Sequence, residues 1–188
     1  MAYNFSKVSI LVVEDNQPMV DLLKSLLETF GIKRIMTAKD GEEGFKIFQR
    51  ESPDLVITDW MMKPTDGISL SRRLRNDPMS PNQFVPIILM TGFSEKRRVM
   101  QARDAGVTEF LVKPFNARDL YRRISQIIER PRQFVRSEDF FGPDRRRKTK
   151  DDYDGPQRRD DDPASSPRRA QWPPASKALI DINTDTTG

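Results

Sequence analysis

Residues with reactive side chains stand where four short apolar runs of this sequence end. They are, in chain order, Glu14 with Asp15, Asp59, Thr91 and Lys113. Three carboxylates, a hydroxyl and an ammonium together have the chemistry to bind a hard cation and to accept a phosphoryl group. The 188 residues include no histidine and no cysteine, which excludes imidazole bases, thiolate ligands and a phosphohistidine donor within this sequence.

The three carboxylates predict a cation site. Carboxylates held within a few ångströms repel one another strongly unless a cation compensates their charge. Oxygen ligands without histidine or cysteine suit Mg2+, which keeps waters and prefers one or two carboxylates plus a phosphoryl oxygen. We therefore predict that Asp15 and Asp59 ligate Mg2+ directly and that Glu14 holds a coordinated water.

A carboxylate is also a nucleophile toward phosphorus and then forms an aspartyl phosphate. Asp59 is the candidate because it ends a central apolar run, between the acid pair and the hydroxyl and lysine. Mg2+, Lys113, the Thr91 hydroxyl and backbone N–H groups would neutralise the transferred group. The alternative for any one residue is structural, since an aspartate at a strand end is most often a turn residue or a helix cap. Four strand ends in chain order favour the chemical interpretation.

The elements that must gather these residues alternate along residues 7–130. Apolar runs without polar alternation predict strands covered on both faces, and apolar residues at helical spacing predict helices between them. The predicted strands are 8–13, 34–38, 55–58, 85–91 and 109–112, and the predicted helices are 19–30, 41–51, 68–76, 94–106 and 117–130. This order predicts an α/β fold with a five-stranded parallel sheet and helices on both faces. In such sheets the working site lies outside the carboxyl ends of the strands.

Four segments of this region resemble the receiver domain of bacterial two-component response regulators. They are VVEDN (12–16), DWMMKPTDG (59–67), ILMTG (88–92) and AGVTEFLVKPF (105–115). The resemblance covers about residues 7–130. It implies a flavodoxin-like fold with the strand order 2-1-3-4-5.

The resemblance also implies a role for each candidate residue. Glu14 and Asp15 are the metal-binding acid pair, Asp59 is the phosphoacceptor, Thr91 is the hydroxyl that moves toward the phosphoryl group, and Lys113 pairs with that group. Phe110 is the switch aromatic, the backbone carbonyl of Met61 is a further Mg2+ contact, and the Lys113–Pro114 bond is cis. The alternative for Phe110 is a core phenylalanine.

Two departures from the family pattern lie near Asp59. The family often has proline four residues past the phosphoacceptor, where this sequence has Lys63, so we expect a changed loop and an intact site. Met61 and Phe93 are bulky apolar residues beside the expected water path. We hypothesise that they slow hydrolysis of the aspartyl phosphate; the alternative is that both side chains point elsewhere.

The function implied is that of a response regulator in a two-component phosphorelay. Its donor is the phosphohistidine of a sensor histidine kinase or of a histidine phosphotransfer protein, and its output is a conformational switch that controls protein–protein interaction. It catalyses only its own phosphorylation and dephosphorylation and is not otherwise an enzyme. The exposed arginines Arg97, Arg98 and Arg122 are candidates for contact with a downstream protein, or are plain solvated surface.

Two other function classes are alternatives for this sequence. A phosphorylation-independent scaffold would use the receiver fold only to present a surface, with the basic tail binding a protein or nucleic acid; the intact acid set argues against it. A phosphatase of the haloacid dehalogenase type would need a second aspartate two residues past the nucleophile, where Met61 stands.

Residues 131–188 are rich in proline, arginine, aspartate and serine and predict a largely disordered tail. A repeated unit, an aromatic followed by Gly-Pro, a polar residue and Arg-Arg, occurs at 139–148 and 152–161. Three interpretations of this segment are open. It is a linear motif that docks on a protein partner, a basic stretch that contacts nucleic acid or anionic lipid, or a tail that only keeps the protein solvated. Without helix-turn-helix periodicity, direct DNA binding is not expected.

No apolar run reaches the ~20 residues of a membrane helix, so a stand-alone cytoplasmic receiver is expected.

Overall fold

The computed structural model describes residues 5–92, 96–137, 140–144 and 168–169, with the backbone alone at 96–98 and 168–169. Strands and helices alternate over most of this length. They are β1 (Ser9–Val13), α1 (Gln17–Thr29), β2 (Arg34–Ala38), α2 (Gly41–Glu51), β3 (Leu55–Asp59), α3 (Gly67–Asn76), β4 (Ile87–Thr91), α4 (Lys96–Asp104), β5 (Glu109–Val112) and α5 (Ala117–Glu129), followed by the short strands β6 (Phe134–Arg136), β7 (Phe141–Pro143) and β8 (Arg168–Arg169). None of the helices in these ranges is long and apolar enough to span a membrane.

The first five strands form one parallel sheet in the order β2-β1-β3-β4-β5. The predicted α/β fold and the strand order implied by the resemblance are confirmed. Strand β4 begins at Ile87, two residues later than predicted. The residue before it, Pro86, has no backbone N–H to donate to a neighbouring strand.

Apolar side chains cover the sheet on both faces. Ile10 and Val12 of β1 pack in a core with residues of α1 and α5, whereas Leu11 and Val13 pack in a second core with residues of α2 and α3. Both sets of strand side chains are therefore buried, which explains why the sequence of β1 lacks polar alternation.

Helix caps hold the loops at the carboxyl edge of the sheet. Asn16, Asp66 and Asn116 each accept a hydrogen bond from the backbone N–H three residues further on. These bonds satisfy free donors at the starts of α1, α3 and α5. At α5 the Asp119 side chain also accepts from the Asn116 N–H, which completes a capping box. The loops that carry the candidate site residues are thus fixed at their helix ends as well as at their strand ends.

The chain continues after α5 in a small antiparallel sheet of three short strands. Strand β6 pairs with β7 on one side and with β8 on the other. These short strands lie within residues 131–188, for which a largely disordered tail is predicted. For the rest of that segment the prediction stays a prediction. Phe134 and Phe141 are buried, at 1% and 7% exposure, because a residue distant in sequence, Phe84, offers them an aromatic surface. The repeat at 152–161 lies outside the described residues, as do Asp139 and the part of 139–148 after Asp144.

Candidate functional site

The parallel register brings four strand ends to one edge of the sheet. Strand β3 ends with Asp59 level with Met90 of β4, and β4 ends with Thr91 level with Val112 of β5. The Lys113 N–H continues this ladder and donates to the Thr91 carbonyl at 2.8 Å. Glu14 follows β1 directly. The sheet therefore places Glu14, Asp59, Thr91 and Lys113 on its carboxyl edge, as predicted from the apolar runs.

The side chain of Lys113 joins two of the predicted carboxylates. Its Nζ lies 2.9 Å from Glu14 Oε2 and 2.6 Å from Asp59 Oδ1. The Glu14 side chain is 2% exposed and that of Asp59 is 12% exposed, whereas that of Lys113 is 25% exposed. Two largely buried carboxylates thus share one ammonium that water still reaches.

The second oxygen of Asp59 is held by the backbone. Oδ2 accepts a hydrogen bond from the Met61 N–H at 2.9 Å. The Gly67 N–H donates to the carbonyl of Trp60 at 3.1 Å. A Cβ atom at Gly67 would overlap the backbone carbonyl oxygen of Asp59. The start of α3 is therefore pressed against the backbone of Asp59, and only glycine fits there.

The pKa values of Glu14 and Lys113 both lie above their ordinary values. Burial raises the pKa of Glu14, and the hydrogen bond from Lys113 only partly offsets it. For Lys113, burial acts to lower the pKa, but the hydrogen bonds to Asp59 and Glu14 together outweigh it and raise the pKa. The Lys113 ammonium has two carboxylate partners, whereas the Glu14 carboxylate has one ammonium partner, which it shares with Asp59. The Lys113 side chain is therefore protonated and positively charged at neutral pH.

The other predicted residues differ in burial. Asp15 is exposed beside the buried Glu14, Thr91 is 2% exposed, and Phe110 is partly buried against the core that contains residues of α2 and α3. The side chain of Met61 is 60% exposed. Its N–H contacts Asp59, and the predicted role of its carbonyl stays a prediction.

Phe93 lies outside the described residues, as do the side chains of Arg97 and Arg98.

The loop between β3 and α3 keeps the site together despite its departure from the family pattern. Both the Lys63–Pro64 and the Lys113–Pro114 peptide bonds are cis, the second as expected. The Thr65 carbonyl accepts a hydrogen bond from the Gly41 N–H at 2.9 Å. The loop is thus anchored to the start of α2. The expectation that it is changed relative to the family while the site stays intact remains a prediction.

Sequence reasoning did not single out two residues that shape the site. Asn16 caps α1, and its backbone N–H donates to Glu14 Oε1 at 3.2 Å. Gly67 lies against Asp59, and the Asp-Gly pair at the end of the segment DWMMKPTDG was the available signal. The turn chemistry of both residues was readable from the sequence, but their contacts with the acids were not.

The donor set fits a small hard cation. Glu14 and Asp59 approach closely enough to share the Lys113 ammonium, and the Asp15 carboxylate at the same edge is open to solvent. Within the described ranges no three acidic side chains converge in one group. Mg2+ needs only one or two carboxylates because waters and phosphoryl oxygens complete its shell.

Comparison with known proteins identifies the fold. The family model of the response regulator receiver domain matches residues 10–125. The chain belongs to this family. The matched region contains every predicted site residue and the five strands of the parallel sheet except Ser9, the first residue of β1, whereas β6, β7 and β8 follow it.

Individual relatives agree with the receiver domain family. The phosphate regulon transcriptional regulatory protein PhoB of Pseudomonas aeruginosa is 30% identical over 65% of this chain and 52% of its own length. This chain thus spans about half the length of that regulator. The chemotaxis protein CheY-3 of Vibrio cholerae is 31% identical over 65% of this chain and 93% of its own length.

One solved structure bears on the cation. It is the receiver domain of the sensor histidine kinase PA1611 of Pseudomonas aeruginosa, described with a magnesium ion coordinated in its active-site cleft. It is 28% identical to this chain, covers 63% of this chain and 94% of its own length, and superposes with a TM-score of 0.56.

Proposed function

We propose that this receiver domain accepts a phosphoryl group on Asp59 from a phosphohistidine of a sensor histidine kinase or a histidine phosphotransfer protein. A carboxylate oxygen of Asp59 attacks phosphorus, the P–N bond to the imidazole breaks, and the imidazole leaves with the electron pair and takes up a proton. The product is an aspartyl phosphate that water later hydrolyses. The domain is a signalling protein, and this chemistry serves its own switching.

The position of Asp59 carries the proposal. Its carboxylate ends a central strand, and its two oxygens are oriented by the Lys113 ammonium at 2.6 Å and the Met61 N–H at 2.9 Å. Both donors are set to stabilise negative charge where a phosphoryl group would arrive. Exposure of 9% for the whole residue leaves a narrow approach for a donor.

We propose Mg2+ as the cofactor. Asp15 and Asp59, together with the carbonyl of Met61, would ligate the ion directly, and Glu14 would hold a water coordinated to it. When bound, the ion neutralises charge on the phosphoryl oxygens. The magnesium ion in the related PA1611 receiver domain supports this assignment.

We propose that phosphorylation acts through Thr91 and Phe110. Thr91 ends β4 beside Lys113, and Phe110 lies on β5 partly buried against the core. If the Thr91 hydroxyl turns toward the phosphoryl group, the Phe110 ring can occupy the space that it leaves. The face of α4, β5 and α5 then changes shape and binds or releases a protein partner.

The proposed output is protein–protein interaction and not direct DNA binding. The described residues after α5 form short strands, with no helix among residues 131–137 and 140–144. A recognition helix for the major groove is therefore absent from these ranges. Because a histidine kinase makes its phosphohistidine from ATP, the proposal places the domain in the cytoplasm.

Labelling with acetyl phosphate and Mg2+ tests the phosphoacceptor. We expect the intact mass of the wild-type protein to rise by one phosphoryl group, and the Asp59→Asn variant to remain unlabelled because an amide is not a nucleophile toward phosphorus. The control is Asp21→Asn, which alters an exposed carboxylate of α1 and should label as wild type. Chelation of Mg2+ should abolish labelling.

The same measurement decides between the two function classes. A wild-type protein that never gains the phosphoryl mass would support a phosphorylation-independent scaffold. Labelling of Asp59→Asn at the wild-type level would place the phosphoacceptor elsewhere. Peptide mapping of the labelled protein distinguishes these results.

The exposed side chain of Met61 predicts a slow loss of the phosphoryl group. The Met61 N–H donates to Asp59 Oδ2, and the exposed thioether of the same residue offers water no strong hydrogen-bond partner. Met61→Asn places an amide there that can hold a water near phosphorus, so we expect several-fold faster dephosphorylation after removal of the donor. The control Met79→Asn changes a methionine that is 72% exposed in the loop before β4 and should leave the rate unchanged. Equal rates for wild type and Met61→Asn would contradict this role.

A further inference from the structure

Two described segments that follow α5, residues 131–137 and 140–144, pack at the amino-terminal end of the sheet, which is the end opposite Asp59. We call them the C-terminal clasp. The guanidinium of Arg132 donates through Nη1 to the Thr108 carbonyl at 3.2 Å and through Nη2 to the Asp144 carbonyl at 2.7 Å. One side chain thus joins the turn between α4 and β5 to the far end of the clasp.

Aromatic rings form the interior of the clasp. The ring centroid of Phe84, in the loop before β4, lies 5.2 Å from those of both Phe134 and Phe141, and these two lie 5.6 Å apart. Such distances are typical of favourable tilted and edge-to-face pairs. The loop before β4 is therefore part of the same packed unit.

A buried arginine of α3, Arg75, packs against the clasp. Arg75 is 1% exposed, and it donates through Nε to the Gly106 carbonyl at 3.0 Å and through Nη1 to the Gln83 carbonyl at 2.9 Å. Burial lowers its pKa to about 9, so it is charged at neutral pH. Its Nη2 has no hydrogen-bond partner among the residues that the structure describes, and its guanidinium carbon lies 5.0 Å from the centroid of the Phe134 ring. The clasp thus supplies the aromatic face beside a buried cation.

The contact between the clasp and the α4–β5 turn leaves no room for side chains. A Cβ atom at Gly142 would lie 3.0 Å from the Cα of Gly106. Gly106 has φ +81°, and a Cβ there would lie 2.7 Å from Cγ of Arg75. Two backbones meet directly at this point, which fixes the turn against the clasp.

We propose that the C-terminal clasp is an integral part of this folded domain and holds the α4–β5 turn, so that the carboxyl end of α4 is a fixed pivot. Thr108, whose carbonyl accepts the hydrogen bond from Arg132, also pairs with the start of β4. The Thr108 N–H donates to the Ile87 carbonyl at 3.0 Å, and the Thr108 hydroxyl accepts from the Ile87 N–H at 3.0 Å. The clasp therefore constrains the ends of β4 and β5 that lie away from Thr91 and Lys113. It follows the region matched by the receiver family model, which ends at residue 125.

Hydrogen exchange measured by mass spectrometry on the full chain tests the clasp. The N–H groups of Gly106, Val107 and Thr108 are protected by hydrogen bonds to carbonyls of α4 and β4. We expect about tenfold faster exchange at these three amides in Arg132→Ala and in Phe134→Ala, with β1 and β3 unchanged. The matched control is Arg130→Ala, which removes an exposed arginine two residues earlier and should exchange as wild type.

Arg132→Ala keeps the three rings of Phe84, Phe134 and Phe141. It is therefore the decisive variant if Phe134→Ala lowers the overall stability. If residues 131–137 exchange faster in Arg132→Ala while Gly106, Val107 and Thr108 exchange at the wild-type rate, the clasp is a passive cover and the proposal is overturned. Because the readout uses unphosphorylated protein, it does not depend on chemistry at Asp59. Loss of acetyl phosphate labelling in the wild type would defeat the proposed function and leave this result standing.

Discussion

Replacement of Lys113 by methionine is expected to lower the free energy of unfolding by about 2 kcal/mol at neutral pH without divalent cations. The ammonium is the shared partner of Glu14 and Asp59 at 2.9 and 2.6 Å. Removal of one member of a fully buried ion pair costs roughly 3–5 kcal/mol, and an exposed pair contributes about 1 kcal/mol or less. Lys113 lies between these limits because its side chain is 25% exposed and that of Glu14 is 2% exposed. Urea denaturation followed by Trp60 fluorescence measures the loss.

The control for this prediction is Lys46→Met, which removes an exposed lysine of α2. We expect it to change the free energy of unfolding by no more than about 0.5 kcal/mol. If Lys113→Met were as stable as wild type, the ammonium would not be what holds the two carboxylates together.

Mg2+ should restore part of the stability lost in Lys113→Met. A ligand that binds only the folded state raises its stability with concentration, and a divalent cation can neutralise the charges that the ammonium leaves behind. The gain should exceed that of the wild type, where Lys113 competes for Glu14 and Asp59. An equal gain in both proteins would place the Mg2+ away from these carboxylates.

Gly67→Ala is expected to lower the free energy of unfolding by about 3 kcal/mol and to alter Trp60 fluorescence. The added Cβ would overlap the Asp59 carbonyl oxygen and lie 3.0 Å from Oγ1 of Thr58. A backbone carbonyl cannot rotate aside as a flexible side chain can. The start of α3 must therefore move away from β3, which also weakens the bond from the Gly67 N–H to the Trp60 carbonyl.

A second glycine at the same edge of the sheet provides the matched control. Gly92 follows Thr91, and no atom of the described residues lies within 4 Å of the position that its Cβ would occupy. We expect Gly92→Ala to change the free energy of unfolding by about 0.5 kcal/mol or less. Similar losses in the two variants would show that general backbone stiffening, and not the contact with Asp59, is responsible.

The residues of the parallel sheet could be assigned from sequence because each signal is local. An apolar run with both faces buried shows no polar alternation, as in β1, and a capping residue marks where the next helix starts. The parallel arrangement then requires that residues ending neighbouring strands share an edge. Glu14, Asp59, Thr91 and Lys113 were placed together on this ground, and their common edge is confirmed.

Which residue of the acid pair is buried against Lys113, and which is exposed, could not be predicted from the sequence. Glu14 and Asp15 are adjacent and chemically similar, yet Glu14 is buried and contacts Lys113, whereas Asp15 is exposed. Which of two neighbouring side chains turns inward depends on how the loop after β1 leaves the sheet. That path is set by the Asn16 cap and by the lysine approaching from β5, 99 residues away in sequence.

The sequence by itself determined the sheet, its helices and the set of groups at its carboxyl edge, because period, caps and residue type are properties of neighbouring residues. Only the tertiary structure decided which carboxylates share the lysine and that the chain after α5 folds back. Strands of three residues are too short to show a period, and Phe134 and Phe141 look like scattered aromatics in a charged segment. Their burial depends on a surface built by Arg75, Phe84 and Gly106, which come together only when the domain is folded.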